Sequence, residues 1–394
     1  MMMRIEYAER VKRIPKYLFV RMEELIKEQE KNGVDMIRLG VGIPDLPTPK
    51  FIIDKLAEEV RKPEHHFYSL ECSPGEDFFR QALARWYKNR FGVDVDWRSE
   101  ASNLIGAKEG LVNLSRAFVN PGDYVLVPDP GYPVYANGAG ILNDAYVHYM
   151  PLLAEDGFLP DLDAIPVDIR RKSKIIYLNY PNNPTAAVAD GTFIKKAIDF
   201  AEENNIIICY DNAYSEMYFD DYVSPSLMEF DKGMNHIELN SFSKTFAMAG
   251  DRIGMAVGNK EIISAMLKVK SQMDMGCPTY IQAAAAAALD SYTSSKRPKA
   301  IEQMMDIYRS RRDLIVAGLK GMGFDCPLPK AGMYVWWNCK EDDVEFVNKM
   351  IRHGVTLTPG TGFGQHSKGY VRLSLIQSQD RLQEALRRMK KALQ

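Results

Sequence analysis

The chain has 394 residues, of which 46% are hydrophobic and 26% charged, and its formal net charge at pH 7 is −2. This composition is typical of a globular protein with a large core, and the balanced charge argues against binding to nucleic acid or anionic membranes through the overall field. No apolar stretch approaches the ~18 residues of a membrane span, and the N-terminus lacks the apolar segment of a secretory signal, so we expect a cytoplasmic protein.

The cysteines and histidines indicate neither a disulfide framework nor a metal site. The five cysteines are odd in number, scattered along the chain, and form no Cys-x-x-Cys pair. This pattern favours reduced thiols in a reducing compartment. The adjacent His65 and His66 have no further histidine or cysteine at ligand spacing, so we expect no bound metal.

In chain order, the first predicted element is a helix over Tyr17–Lys31, whose apolar residues recur at helical spacing until Asn32-Gly33 ends it. From about residue 100 to residue 260, short continuous apolar runs alternate with longer helical patterns. Continuous apolar strands joined by helices indicate a mostly parallel sheet covered on both faces. The seven predicted strands are Asn103–Ile105, Tyr124–Val127, Tyr146–Met150, Lys174–Leu178, Ile206–Cys209, His236–Leu239 and Ile253–Val257.

After this region the pattern changes to a mixture of helices and shorter strands. The predicted elements are a long helical stretch over Ala283–Met322, strands over Met333–Trp337 and Tyr370–Leu375, and helices over Val344–His353 and Asp380–Leu393. We therefore expect an α/β fold: a three-layer large domain with a mostly parallel seven-stranded sheet, plus a smaller α+β domain. The predicted boundaries are residues 1–45 for an N-terminal arm that joins the small domain, 46–290 for the large domain, and 291–394 for the small C-terminal domain.

Lys244 is the most informative single residue. It follows a predicted strand, lies between the hydroxyl residues Ser243 and Thr245, and precedes Arg252 by eight positions. A lysine amine near a fixed cation suits an aldehyde cofactor that also carries a phosphate, and pyridoxal phosphate (PLP) is such a cofactor. Taken alone, the segment would more often be a surface turn.

Polar residues with cofactor chemistry also follow the other predicted strands, where ligands bind in open α/β sheets. Gly106-Ala107-Lys108 turns one strand into a helix, whose first N–H groups can hold a phosphate. Tyr132 stands between two prolines after the next strand, as a ring that stacks on a flat cofactor would. A tight turn and a loop aromatic that covers the core are the ordinary alternatives.

Two further strand ends carry groups that match a pyridine ring. Asn183 precedes a proline, which favours an extended backbone that could aim its amide at a ring oxygen. Asp211 ends a buried strand, where a carboxylate needs a partner such as a protonated pyridine nitrogen, and Tyr214 could donate to the phenolate oxygen of the same ring. The alternative for Asp211 is a helix N-cap. Five such signals at consecutive strand ends together predict a cofactor site.

These residues resemble the fold-type I PLP enzymes of the aspartate-aminotransferase superfamily, over a region from about Tyr17 to Leu393. The resemblance implies that Lys244 forms the Schiff base with the cofactor and moves protons during catalysis. It also implies that Asp211 pairs with the pyridine nitrogen and that Tyr214 and Asn183 contact the ring oxygen. The resemblance further implies that Tyr132 stacks on the ring face. It implies that Tyr68 reaches the phosphate from the neighbouring subunit of a homodimer. The other implied phosphate contacts are Ala107, Lys108, Ser241, Ser243 and Arg252.

On the substrate side, Arg372 matches the arginine that holds the substrate α-carboxylate as a planar fork. Gly42 would approach the same carboxylate through its backbone N–H. The motifs that most resemble one branch, the LL-diaminopimelate aminotransferases and their alanine-type relatives, are Gly106–Gly110, Phe118–Asp123 and Pro128–Tyr135. In that branch Tyr17 matches a substrate-contacting tyrosine, and Glu71 matches an acid that faces the distal amine of diaminopimelate across the dimer interface.

Four departures from the family pattern leave the identity of the substrate open, and one of them is the loop Glu71–Gly75, which is longer than is typical. Asp251 precedes Arg252 where an aromatic or small residue is usual, and Ala186 replaces a usual glycine. Thr279 stands where the diaminopimelate enzymes often have asparagine. None of these changes touches Lys244.

The resemblance implies an aminotransferase that moves an amino group between an L-amino acid and 2-oxoglutarate, with LL-diaminopimelate as one candidate donor. An alanine- or aspartate-type aminotransferase is one alternative, and a PLP-dependent carbon–sulfur β-lyase on the same fold is another. A regulator that keeps this fold for binding is disfavoured, because such proteins usually add a DNA-binding domain and this chain begins with only a short arm.

Overall fold

A computed structural model describes residues 5–15, 18–68, 74–230 and 235–394, with the backbone alone over 18–22. The strands are β1 Ile37–Arg38, β2 Ala101–Leu104, β3 Tyr124–Asp129, β4 Tyr146–Pro151, β5 Ser173–Asn179, β6 Ile207–Asp211, β7 His236–Ser241, β8 Gly254–Gly258, β9 Tyr334–Asn338, β10 Val355–Thr356, β11 Thr358–Pro359 and β12 Tyr370–Ser374. The helices are α1 Glu9–Lys12, α2 Leu18–Lys31, α3 Lys50–Glu59, α4 Asp77–Phe91, α5 Ala107–Phe118, α6 Val167–Lys172, α7 Gly191–Asn204, α8 Phe242–Thr245, α9 Lys260–Lys270, α10 Thr279–Asp290, α11 Lys299–Gly321, α12 Asp343–Arg352 and α13 Gln379–Ala392.

The predicted mostly parallel sheet of seven strands is confirmed, with the order β2-β8-β7-β6-β5-β3-β4. β8 is the exception, because it runs antiparallel to both β7 and β2. The connection from β7 to β8 contains only the four-residue helix α8. A parallel neighbour is usually reached through a crossover that contains a full helix, and this connection has only a single helical turn.

Helices cover both faces of the sheet, as the continuous apolar strands predict. Alternate residues of β5 point to opposite faces: Ile175 and Tyr177 pack with α5 and α9, whereas Ile176 and Leu178 pack with α7. Both sets are buried, since side chains of a strand alternate between the faces and each face has its own apolar cover. The large domain therefore has three layers.

A second region combines a three-stranded antiparallel sheet, β11-β12-β9, with the parallel pair of β1 and β10. The pairing of Ile37 with Val355 joins the N-terminal segment to the C-terminal part of the chain. This is the smaller α+β region that the sequence predicts; the exact domain boundaries stay predictions. Among the described residues, no helix has both the length and the apolar character needed to cross a membrane.

The prediction of one helical stretch over Ala283–Met322 is wrong in one respect. The structure has two helices there, α10 ending at Asp290 and α11 beginning at Lys299, directly after Pro298. Proline lacks the N–H that a helix interior needs and clashes with the preceding turn, so it is tolerated at a helix start and breaks a continuous helix.

Candidate active site

A cavity of about 810 Å³ lies at the carboxyl ends of the central strands, where the strand-end rule predicts it. The predicted site residues that line it are Gly42, Ala107, Lys108, Tyr132, Asn183, Asp211, Tyr214, Ser241, Ser243, Lys244, Arg252 and Arg372. Tyr68 does not line this cavity and is 77% exposed, so its predicted contact would have to be made with a neighbouring subunit. Tyr17 and Glu71 lie outside the described residues.

Lys244 projects from the single turn α8, which Ser241 caps at the end of β7 by accepting a hydrogen bond from the N–H of Ser243. Its ammonium donates to the carbonyl oxygen of Gly42 at 2.5 Å. Burial lowers the pKa of Lys244, and the positive charges of Arg372 and Arg252 lower it further. The amine is therefore more easily neutral, which is the form that attacks an aldehyde or accepts a proton.

Asp211 ends β6 with its side chain 6% exposed. Its Oδ2 accepts a hydrogen bond from the Tyr135 hydroxyl at 2.7 Å, and its Oδ1 accepts one from the N–H of Ala213 at 3.3 Å. Burial raises the pKa of Asp211 to about 6, although both hydrogen bonds and Lys244 oppose the rise. A buried carboxylate of this kind is stabilised by a positive partner, which the nitrogen of a protonated pyridine would provide.

The backbone at the start of α5 lies close to Arg252, where the sequence predicts a phosphate contact. An added Cβ at Gly106 would stand 2.3 Å from Nη2 of Arg252, and one at Gly254 would stand 2.7 Å from the N of Ala107. Gly106 also has φ +73°, a backbone conformation that favours glycine. Arg252 lies 3.5 Å from Oγ of Ser243, so a guanidinium, a hydroxyl and the N–H groups of a helix start lie together.

Arg372 on β12 is 5% exposed and held on several sides. It donates to Oδ1 of Asn183 at 2.7 Å and to the carbonyl oxygen of Gly40 at 2.8 Å. Its guanidinium carbon lies 4.4 Å and 4.7 Å from the ring centres of Tyr334 and Phe363. A guanidinium oriented in this way can bind a substrate carboxylate with little further loss of side-chain freedom.

The sequence reasoning missed three residues that the structure brings to the site. Tyr135 is the last residue of the motif Pro128–Tyr135. Asn179 is the last residue of β5, and its side-chain amide donates a hydrogen bond to the carbonyl oxygen of Asp211 at 2.7 Å. Tyr334 belongs to the second sheet, and its hydroxyl lies 2.9 Å from that of Tyr214. No local pattern marks Tyr334, because its place depends on how the two sheets pack.

Two of the departures from the family pattern have structural features of their own. Ala186 has φ +58°, the left-handed region that favours the glycine it replaces. Burial raises the pKa of Asp251. Arg252 donates to the carbonyl oxygen of Ala249 at 2.9 Å and points into the cavity, so its position agrees with the predicted phosphate contact.

The groups on the cavity wall fit PLP. Asp211 would face the ring nitrogen, Tyr132 the ring face, and Arg252 with Ser243 and the start of α5 the phosphate, while Lys244 would join the aldehyde. When bound, PLP supplies an aldehyde for covalent linkage to amines and a protonated ring that withdraws electrons from the substrate Cα.

Comparison with known proteins shows the family to which the chain belongs. Residues 34–389 match the family described as aminotransferase class I and II. A protein of Moorella thermoacetica named LL-diaminopimelate aminotransferase is 42% identical over 393 residues, covering 99% of each chain. One of the same name from Aquifex aeolicus is 43% identical over 389 residues, covering 98% of each.

Solved structures are similar over the whole fold. The substrate-bound structure of BacF from Bacillus subtilis has a TM-score of 0.91 and 38% identity, covering 99% of this chain and 98% of that one. A double mutant of Thermus thermophilus aspartate aminotransferase also has a TM-score of 0.91, with 29% identity and coverage of 99% and 100%. The chain therefore belongs to the class I and II aminotransferases, and it is a PLP-dependent enzyme of that family.

Proposed function

We propose that this enzyme transfers an amino group from LL-diaminopimelate to 2-oxoglutarate, and that it works as a cytoplasmic homodimer with shared active sites. The observation that carries the proposal is that Lys244 and Arg372 line one cavity, which brings a reactive amine and a guanidinium held for an α-carboxylate to the same site. The name of the relatives at 42% and 43% identity supports this choice of donor.

The residues of this chain divide the work of the reaction. Arg372 binds the α-carboxylate of the amino acid, which directs the Cα–H bond toward Nζ of Lys244. The neutral amine of Lys244, favoured by burial, would take the Cα proton and pass it to the carbon of the cofactor aldehyde, and the second half of the reaction would run this transfer in reverse. Asp211 would hold a negative charge beside the ring nitrogen of bound PLP and so keep that nitrogen protonated.

Charged side chains in the cavity wall also favour a substrate with a second charged end. Its wall includes an anionic and a cationic side chain, Glu23 and Arg38, to which no contact with the cofactor or the α-carboxylate is assigned. Arg38 is held by Glu30 at 2.8 Å and lies 3.3 Å from Glu23. The distal end of diaminopimelate carries both an ammonium and a carboxylate, so a charged wall suits it better than the methyl group of alanine. Glu71, predicted to reach over from the neighbouring subunit, would add another acid.

An amino-donor panel tests this proposal, with 2-oxoglutarate as acceptor and LL-diaminopimelate, alanine, aspartate and glutamate as donors. We expect the highest kcat/KM with LL-diaminopimelate, and a selective loss for that donor in Glu71→Gln. Fast alanine turnover without diaminopimelate turnover would overturn the choice of donor. Release of pyruvate and ammonia without stoichiometric glutamate would instead identify a β-lyase.

Shared active sites are proposed from the exposure of Tyr68 and its neighbour Phe67, which are 77% and 72% exposed in the single chain. Subunit mixing tests this directly with Lys244→Ala and Tyr68→Ala, two variants of low activity. A mixed dimer with shared sites contains one site that has both native side chains, so activity should recover on mixing. No recovery in confirmed mixed dimers would show that each site is built from one chain.

A further inference from the structure

Tyr135 and Asp211 form a buried pair in the wall of the cavity. The Tyr135 hydroxyl donates to Oδ2 of Asp211 at 2.7 Å, and the two side chains are 1% and 6% exposed. A hydrogen bond to a charged, buried acceptor favours the ionised form of that acceptor. We infer that Tyr135 is a positioning residue that, through Asp211, keeps the nitrogen of the cofactor ring protonated.

The ring of Tyr135 is fixed, so its hydroxyl has one available direction. It stacks on Tyr177 with ring centres 5.4 Å apart and an angle of 19° between the planes. The Tyr177 hydroxyl is in turn held by Ser115 at 2.8 Å and by the carbonyl oxygen of Leu111 at 3.0 Å, both on α5. Tyr135 is thereby tied to the helix whose first turn lies at the phosphate position.

Tyr135 also contacts the residue predicted to stack on the cofactor. Its ring meets that of Tyr132 edge to face, with centres 5.8 Å apart. Tyr135 begins a π-helical turn, Tyr135–Gly140, that directly follows the Tyr132 loop. One side chain therefore links the ring-face contact, the ring-nitrogen acid and the phosphate helix.

The electrostatic surroundings of Asp211 show why a donor is needed there. The other titratable groups that face it are Lys244, Tyr214 and Cys209. Burial raises the pKa of Asp211, while the Tyr135 hydrogen bond lowers it. Without the hydroxyl, the pKa of Asp211 would rise. The proton between the carboxylate and the ring nitrogen of bound PLP would then lie more often on the carboxylate, and the nitrogen would be less protonated.

The test compares Tyr135→Phe with Tyr180→Phe, both as holoenzymes loaded with PLP labelled with ¹⁵N in the ring. Tyr180 is a matched control, because it is also buried and its hydroxyl donates to the carbonyl oxygen of Phe158 at 2.8 Å, away from Asp211. In Tyr135→Phe we expect the ¹⁵N resonance to move toward that of neutral pyridine and PLP affinity to fall on the order of tenfold. Tyr180→Phe should resemble the wild type in both measurements.

A second arm tests whether the effect passes through Asp211. In an Asp211→Asn background, Tyr135→Phe should leave the ¹⁵N resonance and PLP affinity unchanged, because the acceptor charge is already gone. Replacement of Tyr135 by 3-fluorotyrosine keeps the packing but makes the hydroxyl a stronger donor, so the resonance should move the opposite way. The 3-fluorotyrosine measurement remains possible even if Tyr135→Phe does not fold.

A wild-type ¹⁵N resonance in folded Tyr135→Phe, or equal changes in Tyr180→Phe, would overturn the inference and leave Tyr135 a packing role. No shift with 3-fluorotyrosine would do the same. None of these measurements uses an amino donor, so their outcome is independent of the proposed substrate.

Discussion

Nδ1 of His366 lies 2.9 Å from Oδ2 of Asp129, and this contact joins the turn Gln365–Ser367 to the end of β3. Asp129 also accepts the backbone N–H groups of Gln365 and His366, each at 3.2 Å. Gly364 has φ +146°, and an added Cβ there would stand 1.8 Å from the Asp129 carboxylate. The glycine is therefore required for the backbone to approach the acid this closely.

The contact between Asp129 and residues 365–366 also affects the part of the cavity wall that contains Phe363 and Arg372. The N–H of Gly131, in the Tyr132 loop, donates to the carbonyl oxygen of Phe363 at 2.9 Å. The Phe363 ring in turn packs against the guanidinium of Arg372. Asp129 thus fixes Phe363, and through it the arginine proposed to bind the α-carboxylate.

Asp129→Asn should raise KM for the amino donor by about tenfold to a hundredfold with a smaller change in kcat, because weakened charged hydrogen bonds cost about 1.5–3 kcal/mol. Steady-state kinetics with varied donor concentration measures both parameters. Asp163→Asn is the matched control, since that exposed acid pairs only with Lys196 among the contacts described for its side chain. A KM within twofold of wild type in Asp129→Asn would contradict this role.

Gly42→Ala should lower kcat/KM, because an added Cβ would stand 2.2 Å from the hydroxyl oxygen of Tyr334. The displaced backbone is the one proposed to contact the substrate carboxylate. Removing the hydroxyl with Tyr334→Phe relieves the closest contact, so the double variant should be more active than Gly42→Ala alone. A double variant whose losses simply add would show that the two residues do not clash in solution.

Asp211→Asn should stabilise the cofactor-free protein at neutral pH while abolishing transamination. The pKa of Asp211 rises from 3.8 to about 6 on folding, because burial disfavours the carboxylate. Between these values the folded state retains a proton that the unfolded state has released, so stability falls as pH rises through this window. Above pH 6 the full cost is about 3 kcal/mol, reckoned from the difference in pKa.

Urea unfolding of the cofactor-free protein at pH 4 and pH 8 measures this effect. Asp211→Asn should exceed wild type in unfolding free energy at pH 8, and the gain should nearly vanish at pH 4, where the wild-type carboxyl group is protonated. A variant less stable than wild type at both pH values would show that the carboxylate is not strained by burial.

Lys244→Ala should lose the visible absorbance of the covalently bound cofactor and lower turnover by more than about 10⁴-fold, because the same amine provides both the linkage and the base. Lys244→Arg keeps a positive charge but cannot form the linkage, so it should behave like the alanine variant in both the spectrum and turnover. An unchanged spectrum in either variant would place the covalent linkage elsewhere.

Local patterns in the sequence were sufficient to locate the large sheet and most of the groups on the cavity wall. The apolar runs predicted all seven strands from β2 to β8, because burial on both faces demands continuous apolar residues. Lys244, Asp211 and Tyr132 follow from the same pattern, since the carboxyl ends of such strands meet at one edge of the sheet.

Contacts between segments that lie far apart in the chain could not be predicted from local sequence patterns. The hydrogen bond from Tyr135 to Asp211 spans 76 positions, and the contact of Asp129 with His366 spans 237. Tyr334 reaches Tyr214 from another sheet, and the antiparallel direction of β8 depends on a short connection. Periodicity reports which face of an element is buried, because backbone geometry repeats along one segment. Which buried side chain meets which depends on the packing of segments far apart in the chain, and that exists only once the whole core has assembled.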